Sequence, residues 1–293
     1  MNKKFIDPNI KNKSKTVEGK LQFYKHAGKL LPLPTEIEIS ESGTCNRTCS
    51  FCPRSDENFI DKKEFIDTSL HLKMCVELKE HNYKGTIRYS GFVEPLLDKN
   101  IFNLIIMTRK YLPSSNIEMV TNGDVLNLSR LKKLFTSGLN KLLISAYDGK
   151  VEADKLEDLC IQGNLKTNQY IVRHRYLSEE NDFGITLSNR SGLMDNAEFK
   201  IKSLSEPLKN PCYIPSYTFF LDYQGDVLMC PHDWGKKIIL GNLKTEKLTD
   251  IWFSKKSMRI RKMLNQSNRN FKPCNVCDVV GTFMGKKNSS YFN

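Results

Sequence analysis

The sequence has no stretch of eighteen apolar residues among its 293, so it does not predict a membrane-spanning helix. The first eight residues include lysines and lack the apolar core of a secretion signal. No long run of lysine and arginine interleaved with aromatic residues is present, which argues against a nucleic-acid-binding protein. Together these absences predict a cytoplasmic protein that does not contact the membrane and whose thiols stay reduced.

Basic residues outnumber acidic ones, and the net charge of +12 would attract an anionic partner such as a phosphorylated substrate. The basic residues are scattered along the chain, however, which favours an ordinary solvated surface. The nine cysteines need a different explanation, because in a reducing compartment they indicate metal binding or catalysis rather than disulfides.

Three of these cysteines, Cys45, Cys49 and Cys52, have the spacing C-x3-C-x2-C. Three thiolates on one short loop can hold three irons of a cubic [4Fe-4S] cluster and leave the fourth iron open to a small molecule. A zinc knuckle or a disulfide cluster is the alternative, although zinc sites usually show paired C-x2-C motifs. The spacing therefore favours a catalytic iron–sulfur cluster.

This triplet, with the aromatic Phe51 before its last cysteine, resembles the signature of the radical S-adenosylmethionine (SAM) enzymes. In that family the open iron binds the amino and carboxylate groups of SAM. Reductive cleavage of SAM then yields a 5′-deoxyadenosyl radical, which abstracts a hydrogen atom from the substrate. The resemblance covers roughly residues 35 to 280 and implies SAM and an iron–sulfur cluster as cofactors.

Segments that alternate between strand and helix patterns predict parallel βαβ units. The predicted strands span residues 35–40, 85–90, 116–121, 141–146, 170–176 and 183–188. The predicted helices span residues 68–80, 100–111, 126–137 and 150–160. About six such units resemble the partial (β/α)6 TIM-like barrel of the family, an α/β fold whose active site lies at the C-terminal ends of the strands.

The loop after the second predicted strand contains Gly91, Glu94 and Pro95. It resembles the family's Gly-Gly-Glu-Pro segment, which holds the amino group of SAM, although Phe92 and Val93 stand where small residues are common. Such a loop must turn carbonyl oxygens and an acceptor toward an ammonium group. An ordinary loop is the alternative.

Two polar residues at later strand ends also resemble family positions. Asn122 lies in a Thr-Asn-Gly segment, which is equally a common turn sequence. Ser145 resembles the serine of a Ser-x-Asp-Gly segment, where a hydroxyl can bond the ribose or carboxylate of SAM. One extra residue separates Ser145 from Asp148, which leaves the role of Asp148 open.

Arginines on the last two predicted strands are candidates for contact with the substrate. Alternation places Arg173 and Arg175 on one face of their strand and His174 on the other. Arginines that face inward can clamp a carboxylate, a phosphate or SAM, whereas arginines that face outward are solvated. Arg190 follows the sixth predicted strand and should overhang the site. We expect Arg190 or Arg173 to bind the substrate or remove its proton.

The remaining cysteine motif, C-x12-G-x4-C followed by C-x2-C, comprises Cys212, Cys230, Cys274 and Cys277. Four thiolates are the ligand set of a closed cluster, and zinc in the same set is the alternative. The order resembles the SPASM/Twitch auxiliary domain of radical SAM enzymes. Because no cysteine follows Cys277, the resemblance is to the shorter Twitch form with one auxiliary [4Fe-4S] cluster.

These resemblances imply three parts in the chain. Residues 1–34 form an N-terminal extension with one short helix, residues 35–206 the radical SAM partial barrel, and residues 207–293 a Twitch/SPASM-like auxiliary cluster domain. The last part should contain a hairpin at residues 217–222 and 227–229 and a helix over residues 248–264.

An open and a closed cluster together imply a radical SAM oxidoreductase of dehydrogenase type, since a closed cluster can accept the second electron of an oxidation. In design the chain resembles the aminocyclitol (scyllo-inosamine) dehydrogenase group. The expected substrate is therefore a small carbohydrate-like molecule, and the expected electron donor is a flavodoxin or a ferredoxin.

Three alternatives remain. Radical modification or maturation of a peptide is disfavoured because residues 1–34 do not resemble a leader-binding domain and many peptide modifiers carry two auxiliary clusters. A redox-neutral epimerisation would use the same open cluster. A non-catalytic iron–sulfur or zinc protein that binds nucleic acid through its +12 charge would not cleave SAM.

Overall fold

The central strands are short and buried on both faces, which is typical of parallel strands in a sheet that other elements cover on each side. A computed structural model of the chain, which describes residues 7–176, 188–195 and 201–292, shows this arrangement. Every residue of Glu36–Ser40 and of Thr86–Tyr89 is buried. Their isoleucines enter the main apolar core, whereas glutamates and an arginine alternate with them on the opposite face.

The strands in the described residues are numbered here in chain order. They are β1 (Phe23–His26), β2 (Lys29–Pro32), β3 (Glu36–Ser40), β4 (Ser42–Gly43), β5 (Lys62–Phe65), β6 (Thr86–Tyr89), β7 (Asn116–Thr121), β8 (Lys141–Ala146), β9 (Tyr170–His174), β10 (Thr218–Asp222), β11 (Asp226–Leu228) and β12 (Ile239–Asn242).

The helices are numbered in the same way. They are α1 (Pro8–Val17), α2 (Thr68–Glu80), α3 (Ile101–Tyr111), α4 (Leu128–Thr136), α5 (Lys150–Gln162), α6 (Leu248–Trp252), α7 (Lys255–Asn265) and α8 (Lys286–Ser289). Within the described residues, none of the helices has the length and apolar character needed to cross a membrane.

Eight strands form one sheet in the order β12-β11-β10-β3-β6-β7-β8-β9. The pairs from β10 through β9 are all parallel, and β10–β11 and β11–β12 are antiparallel. Helices α2 to α5 connect the parallel strands, which confirms the predicted α/β fold and its partial barrel. Five of the six predicted barrel strands are present as β3, β6, β7, β8 and β9. The sixth, at residues 183–188, lies almost wholly outside the described residues.

The predicted hairpin at residues 217–229 is present as β10 and β11, but it is not separate from the barrel. Strand β10 pairs in parallel with β3, with Phe220 opposite Glu38, so it extends the barrel sheet beyond its first strand. The sequence could not show this pairing, because the two strands lie far apart along the chain.

The prediction of one helix over residues 248–264 is wrong, since α6 and α7 are separate helices. The break falls at Phe253 and Ser254. The hydroxyl of Ser254 accepts a hydrogen bond from the backbone N–H of Ser257 (3.1 Å), which caps the start of α7. Periodicity carries across such a break because each helix buries one apolar face, although α6 contributes to the main core and Ile260 and Leu264 of α7 to a second cluster.

Helix α1 lies against the charged inner face of the barrel. Arg88 on β6 donates to Asn9 (2.7 Å), and Asn12 donates to Glu118 on β7 (3.0 Å). Lys13 forms an ion pair with Glu36 on β3. Charged groups inside a protein must be paired, and α1 supplies part of that pairing.

The other side of α1 is apolar and contacts the C-terminal part of the chain. Val17 is fully buried in a cluster that includes Ile214, Tyr217, Leu264 and Met284. The N-terminal helix therefore joins the barrel to the elements that follow residue 206.

We predict that Arg261→Ala lowers the free energy of unfolding by roughly 3 kcal/mol, because a buried cation is lost together with its contacts to two carbonyl oxygens and an aromatic ring. The guanidinium of Arg261 lies 3.6 Å from the ring centre of Trp252 and donates to the carbonyl oxygens of Trp252 (2.6 Å) and Pro215 (2.8 Å). The exposed Arg259, two residues earlier on the same helix, is the matched control. Urea denaturation should show little change for Arg259→Ala, and equal effects of the two variants would contradict the prediction.

Candidate active site

A cavity opens at the C-terminal ends of β3, β6, β7 and β8, where parallel strands place their following loops. It gathers nearly all residues that the sequence predicts for cofactor binding. Those that line it are Cys45, Cys49, Phe51, Cys52, Gly91, Glu94, Asn122 and Ser145. Pro95 is instead buried beneath the cavity at the start of a short helical turn, so it shapes the loop.

The cavity continues toward the C-terminal part of the chain. Its two portions share walls formed by Phe51, Ser145, Tyr147, Arg190 and Trp234. Walls found only in the second portion include Asp7, Arg173, Arg175, His232 and Asp278. Tyr147, Trp234 and Asp7 were not predicted from the sequence.

The three cysteines of the first motif are held on a tight loop, with the N–H of Cys52 bonded to the carbonyl oxygen of Cys49 (2.9 Å). Burial and the neighbouring charge of Cys52 raise the pKa of Cys49 to about 11. Without a metal, thiols that lie this close together disfavour the thiolate form, because the thiolate charges repel each other. A bound cation favours the thiolate form, because it deprotonates the thiols that coordinate it. The donor set therefore fits an iron–sulfur cluster.

Arg47, inside the cysteine loop, fastens this loop to the ends of two strands. Its Nε donates to Asp124 after β7 (2.7 Å), and its Nη1 donates to Asp148 after β8 (2.9 Å). Its Nη2 reaches Glu152 on α5 (3.0 Å). The structure thus gives Asp148 a partner, and the role of Arg47 escaped the sequence analysis because no motif marks its three carboxylates as neighbours.

Glu94 ties the loop after β6 to the end of β7. Its Oε1 accepts from the hydroxyl of Thr121 (2.6 Å) and the N–H of Leu96 (3.0 Å), and its Oε2 accepts from the N–H of Asn122 (2.7 Å). Burial raises the pKa of Glu94 to about 7 in spite of these donors. Three of about four acceptor positions are thus used within the protein, leaving room for one further donor.

Gly91, in the same loop, has a φ of +105°, a conformation that favours glycine. A Cβ atom there would lie 2.9 Å from the ring of Phe220 on β10. Arg54 braces this loop from the cysteine side, since its Nη2 donates to the carbonyl oxygens of Phe92 (2.7 Å) and Gly43 (2.9 Å). The cysteine loop and the Gly91–Glu94 loop are therefore held in one fixed arrangement.

The arginines at the end of strand β9 face inward, which is one of the two alternatives that the sequence left open. Arg173 and Arg175 are buried, and Arg173 donates to the hydroxyl of Ser145 through Nη1 (3.1 Å). His174 faces the other way and contacts Glu157 on α5 (3.2 Å). Arg173 and Ser145 therefore form one polar wall of the cavity.

Arg190 is half-buried, and its guanidinium lies 5.7 Å from the ring centre of Trp234. Its Nε atom is buried and has no hydrogen-bond partner within the part of the chain that the structure describes. Arg190 and Ser191 both have positive φ values, of 46° and 55°. Non-glycine residues in that conformation are strained, and such strain concentrates at functional sites.

His232 and Asp233, in the loop of the hairpin formed by β11 and β12, have different surroundings. His232 faces the cavity with its Nδ1 3.3 Å from the hydroxyl of Ser188, and burial lowers its pKa to about 3. Asp233 accepts hydrogen bonds from the N–H groups of Lys237 (2.9 Å) and Ile238 (2.8 Å). Asp233 thus holds the hairpin, while His232 remains beside the cavity.

The four C-terminal cysteines form a second group, which does not line the first cavity. Cys230, Cys274 and Cys277 are buried, and Cys212 is half-buried beside them. Burial raises the pKa of Cys212 to about 11, with a further contribution from the charge of Cys277. The predicted set is therefore brought together from segments that are up to 65 residues apart.

Polar groups around this second set point at sulfur. The N–H of His232 donates to Cys230 (3.4 Å), and the hydroxyl of Ser191 donates to Cys277 (3.7 Å). Hydrogen bonds to sulfur are among the features that tune iron–sulfur clusters. In residues 7–176, 188–195 and 201–292, no three His, Cys, Asp or Glu side chains converge as ligands of a single metal ion.

The chain matches two known families. Residues 39–181 match the Radical SAM superfamily, and residues 212–278 match SPASM, an iron-sulfur cluster-binding domain. The S-adenosyl-L-methionine-dependent 2-deoxy-scyllo-inosamine dehydrogenase of Niallia circulans is 30% identical over 83% of this chain and 92% of its own length. A GTP 3′,8-cyclase of Mesorhizobium japonicum is 27% identical over 44% of this chain and 38% of the cyclase.

Solved structures show the same fold. BtrN in complex with AdoMet and 2-DOIA matches with a TM-score of 0.70 and 28% identity, covering 85% of this chain and 94% of that chain. Native anSMEcpe with bound AdoMet has a TM-score of 0.52 at 13% identity, covering 88% of this chain and 95% of its own, and shares the fold alone.

We predict that Arg47→Met makes the iron near Cys45 easier to remove, because the cysteine loop loses its attachment to two strand ends. After anaerobic reconstitution, a ferrous chelator should extract part of the iron roughly tenfold faster than from the wild type, since the lost charge-assisted bonds are worth at least about 1.4 kcal/mol. Lys150→Met is the matched control, because it breaks an exposed ion pair with Asp154 on α5. Extraction at the wild-type rate from the Arg47 variant would show that the clamp does not hold the loop.

Proposed function

Because this chain belongs to the radical SAM superfamily and carries a SPASM iron–sulfur domain, we propose that it oxidises a sugar- or aminocyclitol-like small molecule. It is a radical SAM oxidoreductase whose cofactors are SAM and two [4Fe-4S] clusters. The dehydrogenase of Niallia circulans supports the proposed substrate class, since the similarity covers 83% of this chain and 92% of the dehydrogenase. We retain the division into residues 1–34, 35–206 and 207–293 as part of the proposal.

Cys45, Cys49 and Cys52 would hold the SAM-binding cluster, and the four C-terminal cysteines the auxiliary cluster. Phe51, Gly91, Glu94, Asn122 and Ser145 would surround SAM, with Pro95 shaping the loop. When bound, the first cluster and SAM supply the one-electron chemistry that removes a hydrogen atom from an unactivated C–H bond.

The observation that carries the dehydrogenase proposal is the short path between the cavity and the second cysteine group. Arg190 lines the cavity, and the next residue, Ser191, donates to the sulfur of Cys277. An electron acceptor at the second group would therefore lie one residue behind the cavity wall. Oxidation of an alcohol or amine needs such an acceptor close by, whereas epimerisation does not.

The residues of the chain would orient the substrate and exclude water. Phe51, Tyr147 and Trp234 form aromatic walls on which the carbon face of a sugar ring can lie. Arg190, whose Nε has no hydrogen-bond partner in the described residues, would bind a substrate hydroxyl or, in its neutral form, take up the proton of that hydroxyl. Burial lowers the pKa of Arg190. Arg173, bonded to Ser145, would hold an anionic group beside it.

The proposal also includes an electron donor and a location. A flavodoxin or ferredoxin would reduce the first cluster, and the protein would work in the cytoplasm. Both suggestions follow from the cysteine usage and from the low-potential chemistry of such clusters.

We predict that anaerobic reconstitution gives about eight iron and eight sulfide per chain. Changing Cys45, Cys49 and Cys52 to Ala should leave about four of each. Cys75→Ala with Cys160→Ala is the matched control, because these two cysteines are buried in the apolar core away from both groups. A wild type with four iron and one zinc would show that the second group is a zinc site.

The function itself is tested with SAM, dithionite and 2-deoxy-scyllo-inosamine as the probe. We expect 5′-deoxyadenosine together with a product that has lost two hydrogens. The Cys45/Cys49/Cys52→Ala variant should make neither. A reconstituted wild type that makes no 5′-deoxyadenosine would refute the activity. A wild type that makes 5′-deoxyadenosine but no oxidised product would refute this substrate.

Changing Cys274 and Cys277 to Ala should separate the two stages of the oxidation. The variant removes half of the second thiol set, so SAM cleavage and hydrogen transfer should persist while oxidised product falls at least tenfold. Because four thiolates on a metal also stabilise a small domain, circular dichroism and retention of about four iron serve as controls. Oxidised product at the wild-type rate from a folded variant would make the second group structural.

A further inference from the structure

Asp7, the residue before α1, lines the cavity and contacts the arginines at the end of strand β9. Its Oδ1 accepts from Nε of Arg173 (3.0 Å), and its Oδ2 accepts from Nη2 of the same guanidinium. Its Oδ2 also accepts from Nη1 of Arg175 (3.0 Å). All three side chains are at least nine-tenths buried. The N-terminal segment thus contacts side chains that the fold otherwise places on the far side of the barrel.

The paired contact fixes the plane of the Arg173 guanidinium. Two nitrogens bind one carboxylate side by side, which is the strongest and most directional arrangement available to arginine. The third nitrogen, Nη1, donates to Ser145 (3.1 Å). Of the five N–H donors of Arg173, three are used within the described residues, and two remain on the terminal nitrogens. These are the donors that can take a ligand from the cavity.

Asp7 also balances charge. Arg173 and Arg175 lie on the same face of β9, and two guanidinium groups so close repel each other. Burial favours the neutral acid, but the two arginines outweigh it and hold the pKa of Asp7 below its ordinary value. One carboxylate thus keeps both cations inside the cavity wall.

The position of Asp7 is set by α1, which follows it directly. Arg88 donates to Asn9, and Asn12 donates to Glu118, so the first two turns of the helix are attached to β6 and β7. The carboxylate of Asp7 also accepts from the N–H of Asn9 (2.8 Å), which caps the helix.

We propose that Asp7 is a positioning residue of the active site, which fixes Arg173 so that its two remaining donors bind the carboxylate of SAM. This inference rests on the proposed function, in which SAM lies beside Ser145. It makes the N-terminal helix a part of the catalytic site, acting through a residue 166 positions later in the chain.

The test is SAM binding to the reconstituted full chain with Asp7→Asn. Asparagine caps a helix as well as aspartate does, so α1 keeps its cap while the charge is removed. We expect the Kd for SAM to rise roughly tenfold, the loss that accompanies one weakened charge-assisted hydrogen bond. The Kd for decarboxylated SAM, which lacks the carboxylate, should not change. Glu157→Gln, which alters the pair with His174 on the outer face of β9, is the matched control and should leave both values unchanged.

A double variant shows whether Asp7 acts through Arg173. If it does, Asp7→Asn with Arg173→Met should bind SAM no more weakly than Arg173→Met alone. Additive losses, or a wild-type Kd in Asp7→Asn, would overturn the inference. So would an equal loss of affinity for SAM and decarboxylated SAM, since that indicates general damage.

Two further measurements distinguish loss of the cluster from loss of positioning, and failure of this inference from failure of the proposed function. If Asp7→Asn loses iron, Asp7→Glu is the second variant, because it retains the buried charge. Asp7→Glu should hold iron as the wild type does but recover only part of the SAM affinity. Full SAM affinity in Asp7→Glu would contradict the positioning role. A wild type that neither binds nor cleaves SAM would refute the proposed function. The inference about Asp7 alone fails if the wild type binds and cleaves SAM and the Asp7 variants do not behave as expected.

Discussion

Parallel pairing between β10 and β3 is the constraint on which the two cysteine groups both depend. Strand β3 leads directly into the loop of Cys45, and β10 leads through the hairpin to Cys230. Since Asp222 lies opposite Ser40 in the register, both groups are placed relative to the same pair of strands. The spacing between the two groups is therefore a property of the sheet and does not depend on a flexible linker between domains.

The second general feature is a barrel interior that is charged and not apolar. Glu36, Arg88 and Glu118 meet there, and an isolated ion in such a place would cost several kcal/mol. The structure meets this cost with reciprocal ion pairs and with the polar face of α1. SAM and the proposed sugar- or aminocyclitol-like substrate are themselves polar, and a cavity that continues from such an interior can offer them fixed donors and acceptors. A purely apolar barrel could not.

Local signals in the sequence predicted most of the architecture. Alternation and spacing located β3, β6, β7 and β8 to within one residue at each end, because apolar residues alternate with polar ones along β3, β6 and β7 and run continuously through the middle of β8. Both cysteine groups and the predicted cofactor-binding residues of the cavity follow from short sequence motifs. The contacts of Arg47 and Asp7 did not, since their partners lie about 80 to 170 residues away and no local pattern encodes such a pairing. The sequence predicted α6 and α7 as one helix because a single serine cap is a weaker signal than apolar residues that recur at helical spacing on both sides of it.

The long separation between β3 and β10 also bears on how the chain is made. Thr35 and Tyr217, joined by a hydrogen bond where these strands begin, are 182 residues apart. At about 5–20 residues per second, a ribosome needs roughly 10 to 40 seconds to cover that distance. Throughout this time the first cysteine loop exists without the strand that completes its sheet. Iron delivered early would meet an unfinished site and an exposed strand edge, so maturation of the first cluster belongs after β10 has been made and has paired with β3.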